Sequence, residues 1–278
     1  MKKLAFIFFF SLCTYLSVAQ EVVHLLPGSD LPKLTVYRPA KDESKGTAVI
    51  ICPGGAYAFR TEGAEGVIPA LKLNEAGITA FVLDYRLPNG NDTLPLHDAQ
   101  AAITYIRLHH KDFKVDAHKI GILGFSAGGH LAATAGTHFK SLDERPDFMI
   151  LAYPVISMTD SLTHAWSREE LLGKQPDTVR IRLYSNELQV TDQTPGTFIT
   201  HAMDDPGVSV KNSLYFEAAL LQHHVPVQLF LYAHGGHGYT INNKTGNVQW
   251  IDACIDWLKA EGWKRKGDYL PNPKRRNT

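Results

Sequence analysis

Gly124-Phe125-Ser126-Ala127-Gly128-Gly129 decides the reading of this chain, because of what stands on either side of it. The apolar run Ile120-Gly121-Ile122-Leu123 precedes it and has the character of a covered strand, while Leu131-Ala132-Ala133 follows and favours a helix. A strand, a sharp turn and a helix form the setting in which a G-x-S-x-G serine stands exposed at the carboxyl end of a sheet. Glycines two residues before and two after the serine let the backbone turn without Cβ clashes. The helix N-terminus then faces any negative charge that develops beside the hydroxyl. Five-residue patterns arise by chance, so the flanking context gives this one its weight.

Outward from the elbow, short apolar and β-branched runs recur at Leu34 to Tyr37, Thr47 to Cys52, Ile78 to Tyr85, Phe148 to Tyr153, Phe198 to Ala202 and Val227 to Tyr232. Most are apolar on both faces, as strands covered on both sides must be. Helical stretches are predicted between them at about Ala64 to Ala76, His97 to His110, Ala127 to His138, Val210 to His223 and Val248 to Glu261. The alternation predicts an α/β fold with a doubly wound, mostly parallel sheet. From Ile156 to Thr194 the rhythm breaks into a polar segment with only short periodic pieces such as Glu169 to Leu172. Long connections of this kind tend to be binding loops, so residues 156–194 are expected to be a cap-like insertion that shapes a pocket.

A hydroxyl at its ordinary pKa is a poor nucleophile and needs a base, and the base needs an orienting acid. After the Phe198 to Ala202 strand come Asp204 and Asp205; after the Val227 to Tyr232 strand comes His234-Gly235-Gly236-His237-Gly238-Tyr239. His237 is favoured over His234 as base because the glycines around it let the loop fold back over the serine. Asp205 is favoured over Asp204 as acid because it stands one residue further from the strand, with Asp204 supporting the turn. The catalytic candidates are therefore Ser126, Asp205 and His237. The pairs His109-His110 and His223-His224 read as solvated or capping residues, and Asp84 and Asp98 as structural turn or helix-start contacts.

Cys52-Pro53-Gly54-Gly55-Ala56-Tyr57 follows an early strand, where little side chain would hinder backbone N–H groups from reaching a carbonyl oxygen. An oxyanion hole is expected from the amide of Ala127 with those of Gly55 and Ala56. The glycines carry no phosphate-binding pattern, since no lysine follows as in a P-loop and no G-x-G-x-x-G opens a helix, so no nucleotide cofactor is expected. His234 and His237 lack a third ligand at recognisable spacing, and no metal is expected.

The 278 residues are 44% hydrophobic and 20% charged, enough for one core, and 28 basic residues balance 28 acidic ones. Nothing in that balance calls for nucleic acid or an anionic membrane as partner. Met1-Lys2-Lys3, an apolar run from Leu4 to Phe10 and Ser17-Val18-Ala19 before Gln20 read as a signal peptide over residues 1–19, with export to a periplasm or the medium. Ser11, Thr14 and Ser17 interrupt the run, which is shorter than the roughly 20 residues a spanning helix needs. Residues 20–278 are then one domain, with Cys52 and Cys254 expected as buried free thiols. The basic stretch Lys264 to Arg276 reads as a solvated end.

The motifs together resemble the acetylxylan-esterase-like carbohydrate esterase branch of the α/β-hydrolases over nearly all of the mature chain. The resemblance rests on Pro53-Gly54-Gly55, Leu83-Asp84-Tyr85-Arg86-Leu87, Pro95-Leu96-His97-Asp98-Ala99-Gln100, the elbow and Tyr153-Pro154-Val155-Ile156-Ser157. Leu171-Leu172-Gly173, Asp204-Asp205, Asn212-Ser213 and Gly235-Gly236-His237-Gly238 extend it. It places the family's triad on Ser126, Asp205 and His237 and implies hydrolysis of small-acyl esters, acetyl foremost, on a carbohydrate such as acetylated xylan. Ala56 stands where a third glycine is usual, Ser209 where a proline often follows the acid, and Gly196 where a second proline is common. Two rivals remain from the residues alone. A serine peptidase shares the elbow but usually carries a propeller or a large cap, and no segment here reads as either. A catalytically silent carbohydrate-binding protein has no need of an intact triad.

Overall fold

The computed structural model describes residues 21–40 and 43–260; the expected leader and the basic tail lie outside the described residues. Eight strands form one sheet: β1 (Glu21–His24), β2 (Lys33–Tyr37), β3 (Ala48–Cys52), β4 (Thr79–Asp84), β5 (Ile120–Phe125), β6 (Phe148–Ala152), β7 (Gly196–Ala202) and β8 (Val227–Tyr232). Their order is β1-β2-β4-β3-β5-β6-β7-β8. β2 pairs antiparallel with β1 and with β4, and every junction from β4 to β8 is parallel. The sequence reading did not include β1, a four-residue edge strand whose Glu21, Val22 and His24 are exposed and so give no alternation to find.

The pleat divides each central strand between two cores. In β3, Ala48, Ile50 and Cys52 face one core while Val49 and Ile51 face the other, and β5 and β6 alternate likewise. The helices α2 (Leu94–Leu108), α4 (Ala127–Thr137) and α7 (Lys211–Gln222) cover the first face through residues such as Ile103, Leu131 and Phe216. On the second face lie α1 (Ile68–Glu75), entered through a π-helical turn at Glu62–Val67, and α8 (Trp250–Ala260), with Leu73, Trp250 and Cys254 inward. A short α3 (His110–Phe113) continues from α2. Cys52 and Cys254 are buried and free.

The 156–194 segment is more ordered than its sequence suggests. It holds α5 (Ala165–Leu172), α6 (Thr178–Leu183) and a 3-10 turn at Asn186–Leu188, each too short to show a period. Leu171, Leu172, Tyr184 and Val190 sink into the first core. Asn212 Oδ1 accepts from the N–H groups of Ile156 and Ser157, both at 3.0 Å, and its Nδ2 donates to Leu162 O at 3.0 Å, so α7 clasps the start of the segment. Asp98 is buried in α2 and receives the Arg86 backbone N–H at 2.7 Å together with its guanidinium, the structural part expected of it.

His130 on α4 is fully buried; its Nε2 donates to Tyr184 O and its Nδ1 accepts from the Tyr57 hydroxyl, both at 2.8 Å. Burial pushes its pKa down to about 4, against the lesser upward pull of the Tyr184 carbonyl. The unfolded chain therefore binds this proton first, and the native state loses stability as pH falls from the ordinary histidine value of about 6.5 towards 4. The loss from this one group is expected on the order of 3 kcal/mol. Urea unfolding of the wild type and His130→Gln from pH 7 to 4 checks it: the variant is less stable at pH 7 but shows the shallower slope.

Candidate active site

The strand β5 delivers Ser126 into the elbow at φ 53° and ψ −117°, a sparsely populated conformation for a residue with a Cβ. The surroundings hold it there. Ser126 N–H donates to Ala152 O at 3.0 Å, and Ser126 O accepts from Val155 N–H at 3.0 Å and His130 N–H at 3.1 Å. The flanking glycines are steric requirements: a Cβ on Gly124 would lie 2.0 Å from Gly128 O, and one on Gly128 would lie 2.1 Å from Cys52 O.

His237, on the loop after β8, places Nε2 2.9 Å from Ser126 Oγ and Nδ1 2.6 Å from Asp205 Oδ2. The carboxylate requires a proton on Nδ1, which leaves Nε2 as acceptor towards the serine. Asp205 follows β7, has a fully buried side chain, and accepts on Oδ1 from the N–H groups of Gly207 at 2.8 Å and Val208 at 2.9 Å. Burial pushes its pKa up, but the donors from His201, His237 and Val208 outweigh that and hold the carboxyl well below the usual range. The structure therefore puts His237, not His234, against the serine. Asp204 accepts from Gly236 N–H at 2.9 Å and pairs with the exposed His234 at 3.2 Å, so it anchors the histidine loop.

Three of the residues that build the site escaped the sequence reading. His201, inside β7 and fully buried, lies 3.2 Å from the Asp205 Oδ2 that also receives His237. Its Nε2 faces that oxygen and Val208 O at 2.9 Å, both acceptors, so Nε2 carries the proton and Nδ1 accepts from the Ser213 hydroxyl at 2.7 Å. His201→Phe keeps the ring but leaves these partners unsatisfied. It is expected to cost about 1–3 kcal/mol of stability in urea and to lower kcat more than it raises KM. Glu65 is also buried, and accepts from Gly54 N–H and the Tyr153 hydroxyl, each at 2.8 Å, and from the Thr61 hydroxyl. Tyr153, whose ring packs T-shaped against that of His237 with centroids 4.9 Å apart, accepts in turn from Thr240 N–H at 3.2 Å. A polar histidine inside the run Phe198-Ile199-Thr200-His201-Ala202 was a signal for the first, and Tyr153 stood at the head of the motif Tyr153-Pro154-Val155-Ile156-Ser157 without a role; Glu65 offered none.

Ser126 and His237 open on a cleft of about 350 Å³. Gly55 and Ala56 line it from the turn after β3, and His164 and Trp166 line it from the 156–194 segment. The turn runs through left-handed backbone at Gly55 (φ 129°), Ala56 (φ 55°) and Tyr57 (φ 64°). Ala127 is the first residue of α4, beside the serine. Burial, then the neighbouring His237, push His164 below the ordinary histidine value. Among the described residues, no group of three or more His, Cys, Asp or Glu side chains is placed to hold a metal ion.

Proteins built on this sheet with this placement of serine, acid and histidine are α/β-hydrolases, and the chain is one of them. Residues 34–220 match the BD-FAE family model, and the chain belongs to that family. It is similar to an acetylxylan esterase of Xylanibacter ruminicola, 36% identical over 224 residues that make up 79% of this chain and 46% of the relative. It is also similar to endo-1,4-beta-xylanase B of Butyrivibrio fibrisolvens, 34% identical over 77% of this chain and 35% of that protein. The chain thus spans less than half the length of these curated relatives. The crystal structure of an acetyl ester-xyloside bifunctional hydrolase from Caldicellulosiruptor lactoaceticus matches with a TM-score of 0.81 and 36% identity, over 88% of this chain and 97% of that one. These likenesses bear out the fold and the family resemblance read from the motifs.

Proposed function

We propose that the protein is a serine carboxylic ester hydrolase that removes small acyl groups, acetyl foremost, from carbohydrate hydroxyls such as those of acetylated xylan. One observation carries the reading: the hydrogen-bonded line from Asp205 through His237 to Ser126 opens directly on a cleft. His237 Nε2 takes the proton as Ser126 Oγ bonds to the ester carbonyl carbon, and Asp205 holds the ring and balances the imidazolium. The oxyanion rests on the amides of Ala127, Gly55 and Ala56; Gly54 N–H is committed to Glu65, which leaves the next two amides of the turn for the substrate. The C–O bond then breaks and the alcohol leaves with the His237 proton. A water that gives its proton to the same nitrogen attacks the acyl-enzyme and releases the acid.

Ala56 lines the cleft, and a methyl group in place of the usual third glycine is expected to bear on the length of acyl chain accepted. No helix among the described residues is long and apolar enough to cross a membrane. The basic, apolar and small-residue order of residues 1–19 supports cleavage before Gln20 and export. The test is acetate release from acetylated xylo-oligosaccharides by the wild type and Ser126→Ala, beside a butyrate ester. Release that vanishes in the variant and falls for butyrate supports the reading; cleavage of peptides or aminoacyl amides instead overturns it.

A further inference from the structure

Phe59 and Trp166 stand together at the cleft that holds Ser126 and His237, each 48% exposed, with ring centroids 6.0 Å apart and planes inclined at 48°. Burying such rings is worth about 25 cal/mol for each Å² of apolar surface, so two of them left half open in one concavity mark a surface kept for a ligand. They come from distant parts of the chain, the turn after Gly54-Gly55 and α5. Both are held. Phe59 N–H donates to Gly55 O at 3.1 Å, which anchors the backbone that carries the ring, and Trp166 Nε1 donates to Glu170 Oε1 at 3.1 Å, which steadies the indole while the residue stays half exposed.

Resting on the esterase reading above, we propose that Phe59 and Trp166 form a stacking platform for a neutral pyranose ring of the alcohol that carries the ester. A pyranose presents apolar, slightly positive C–H groups on its faces and hydroxyls at its rim, which suits the negative face of an aromatic ring. Among the described residues no lysine or arginine lines the cleft, so no permanent cation faces a uronate carboxylate there. The lining near Glu65 and Thr240 is knitted by the Tyr153 hydroxyl, and the aromatic pair supplies the large apolar side chains of the lining, beside the small Ala56 and Ala64. At about 350 Å³ the cleft is within the range of sites that enclose a small ligand, and is larger than an acetyl group alone requires.

The experiment compares two esters with the same acyl group, acetylated xylotriose and ethyl acetate, on the wild type, Trp166→Ala, Phe59→Ala and Trp166→Phe. The ratio of the two kcat/KM values is expected to fall about tenfold in each alanine variant, through KM for the sugar ester, and to recover largely in Trp166→Phe. Binding of unacetylated xylotriose, followed by calorimetry, is expected to weaken by a similar factor. An unchanged ratio overturns the platform, as does unchanged xylotriose binding in the alanine variants. Because the binding arm needs no turnover, a failed esterase reading and a failed platform give different results: no ester hydrolysis by the wild type sinks the first, and undiminished xylotriose binding in the alanine variants sinks the second.

Discussion

Ser126→Ala is expected to lower turnover of an acetyl ester about a millionfold, His237→Ala to lower it by a similar factor, and the double variant to be no slower than either alone. The reason is geometric. Ser126 Oγ lies 2.9 Å from the only nitrogen of His237 that faces it, so removal of either atom removes the same proton transfer. Asp205→Asn is expected to cost about ten-thousandfold, because an amide N–H turned towards Nδ1 would favour the wrong tautomer. Initial rates at high enzyme concentration check these factors. A double variant whose loss equals the product of the single losses would mean that the two residues do not act as a unit.

Glu65→Leu is expected to be the second severe change, although Glu65 takes no proton from the substrate. Its carboxylate ties the turn that carries Gly55 and Ala56 to Tyr153, and through Tyr153 to Thr240 on the histidine loop. A leucine leaves the Gly54 N–H and the Tyr153 hydroxyl without an acceptor in a buried place, while the Thr61 hydroxyl keeps Gly54 O at 3.1 Å, at about 1–3 kcal/mol for each group left unsatisfied. The loss of stability is expected on the order of 4 kcal/mol, and kcat is expected to fall on the order of a hundredfold as the turn relaxes. Glu65→Gln is expected to cost less than Glu65→Leu, since its oxygen can still serve Gly54 and Thr61 and only the Tyr153 hydroxyl loses its acceptor. Urea unfolding and kcat measured side by side check both; a Glu65→Leu protein as stable as the wild type would show that the network does not hold the turn.

What the sequence made legible is what is local. The elbow, the Cys52 to Tyr57 turn and the two loops after β7 and β8 each combine a strand end with turn residues a few positions away, and chain order supplied the rest. The choice of His237 over His234 rested on glycines in one loop and agrees with the geometry. Glu65 was invisible because its partners lie 11 and 88 residues away, at Gly54 and Tyr153. The order within residues 156–194 was hidden for a related reason: α5 is held by the buried Leu171 and Leu172, α6 by the partly buried Ile181 and by the buried Tyr184 that follows it, and the start of the segment by Asn212 from α7, rather than by periodicity. The motif residues Asn212 and Ser213 gained a physical meaning only in the fold, the first as the clasp of that segment and the second as the donor behind His201.

The central claim is that Ser126 bonds covalently to an acyl carbon in a site that activates it. Its most direct test is the reaction of the protein with an alkyl fluorophosphonate, which mimics the tetrahedral intermediate, followed by intact mass and peptide mapping. The expected result is one adduct per chain on the peptide that carries Ser126, formed at a rate that collapses in His237→Ala and accompanied by complete loss of ester hydrolysis. An adduct on another residue, or full hydrolytic activity in a protein quantitatively labelled at Ser126, would contradict the account.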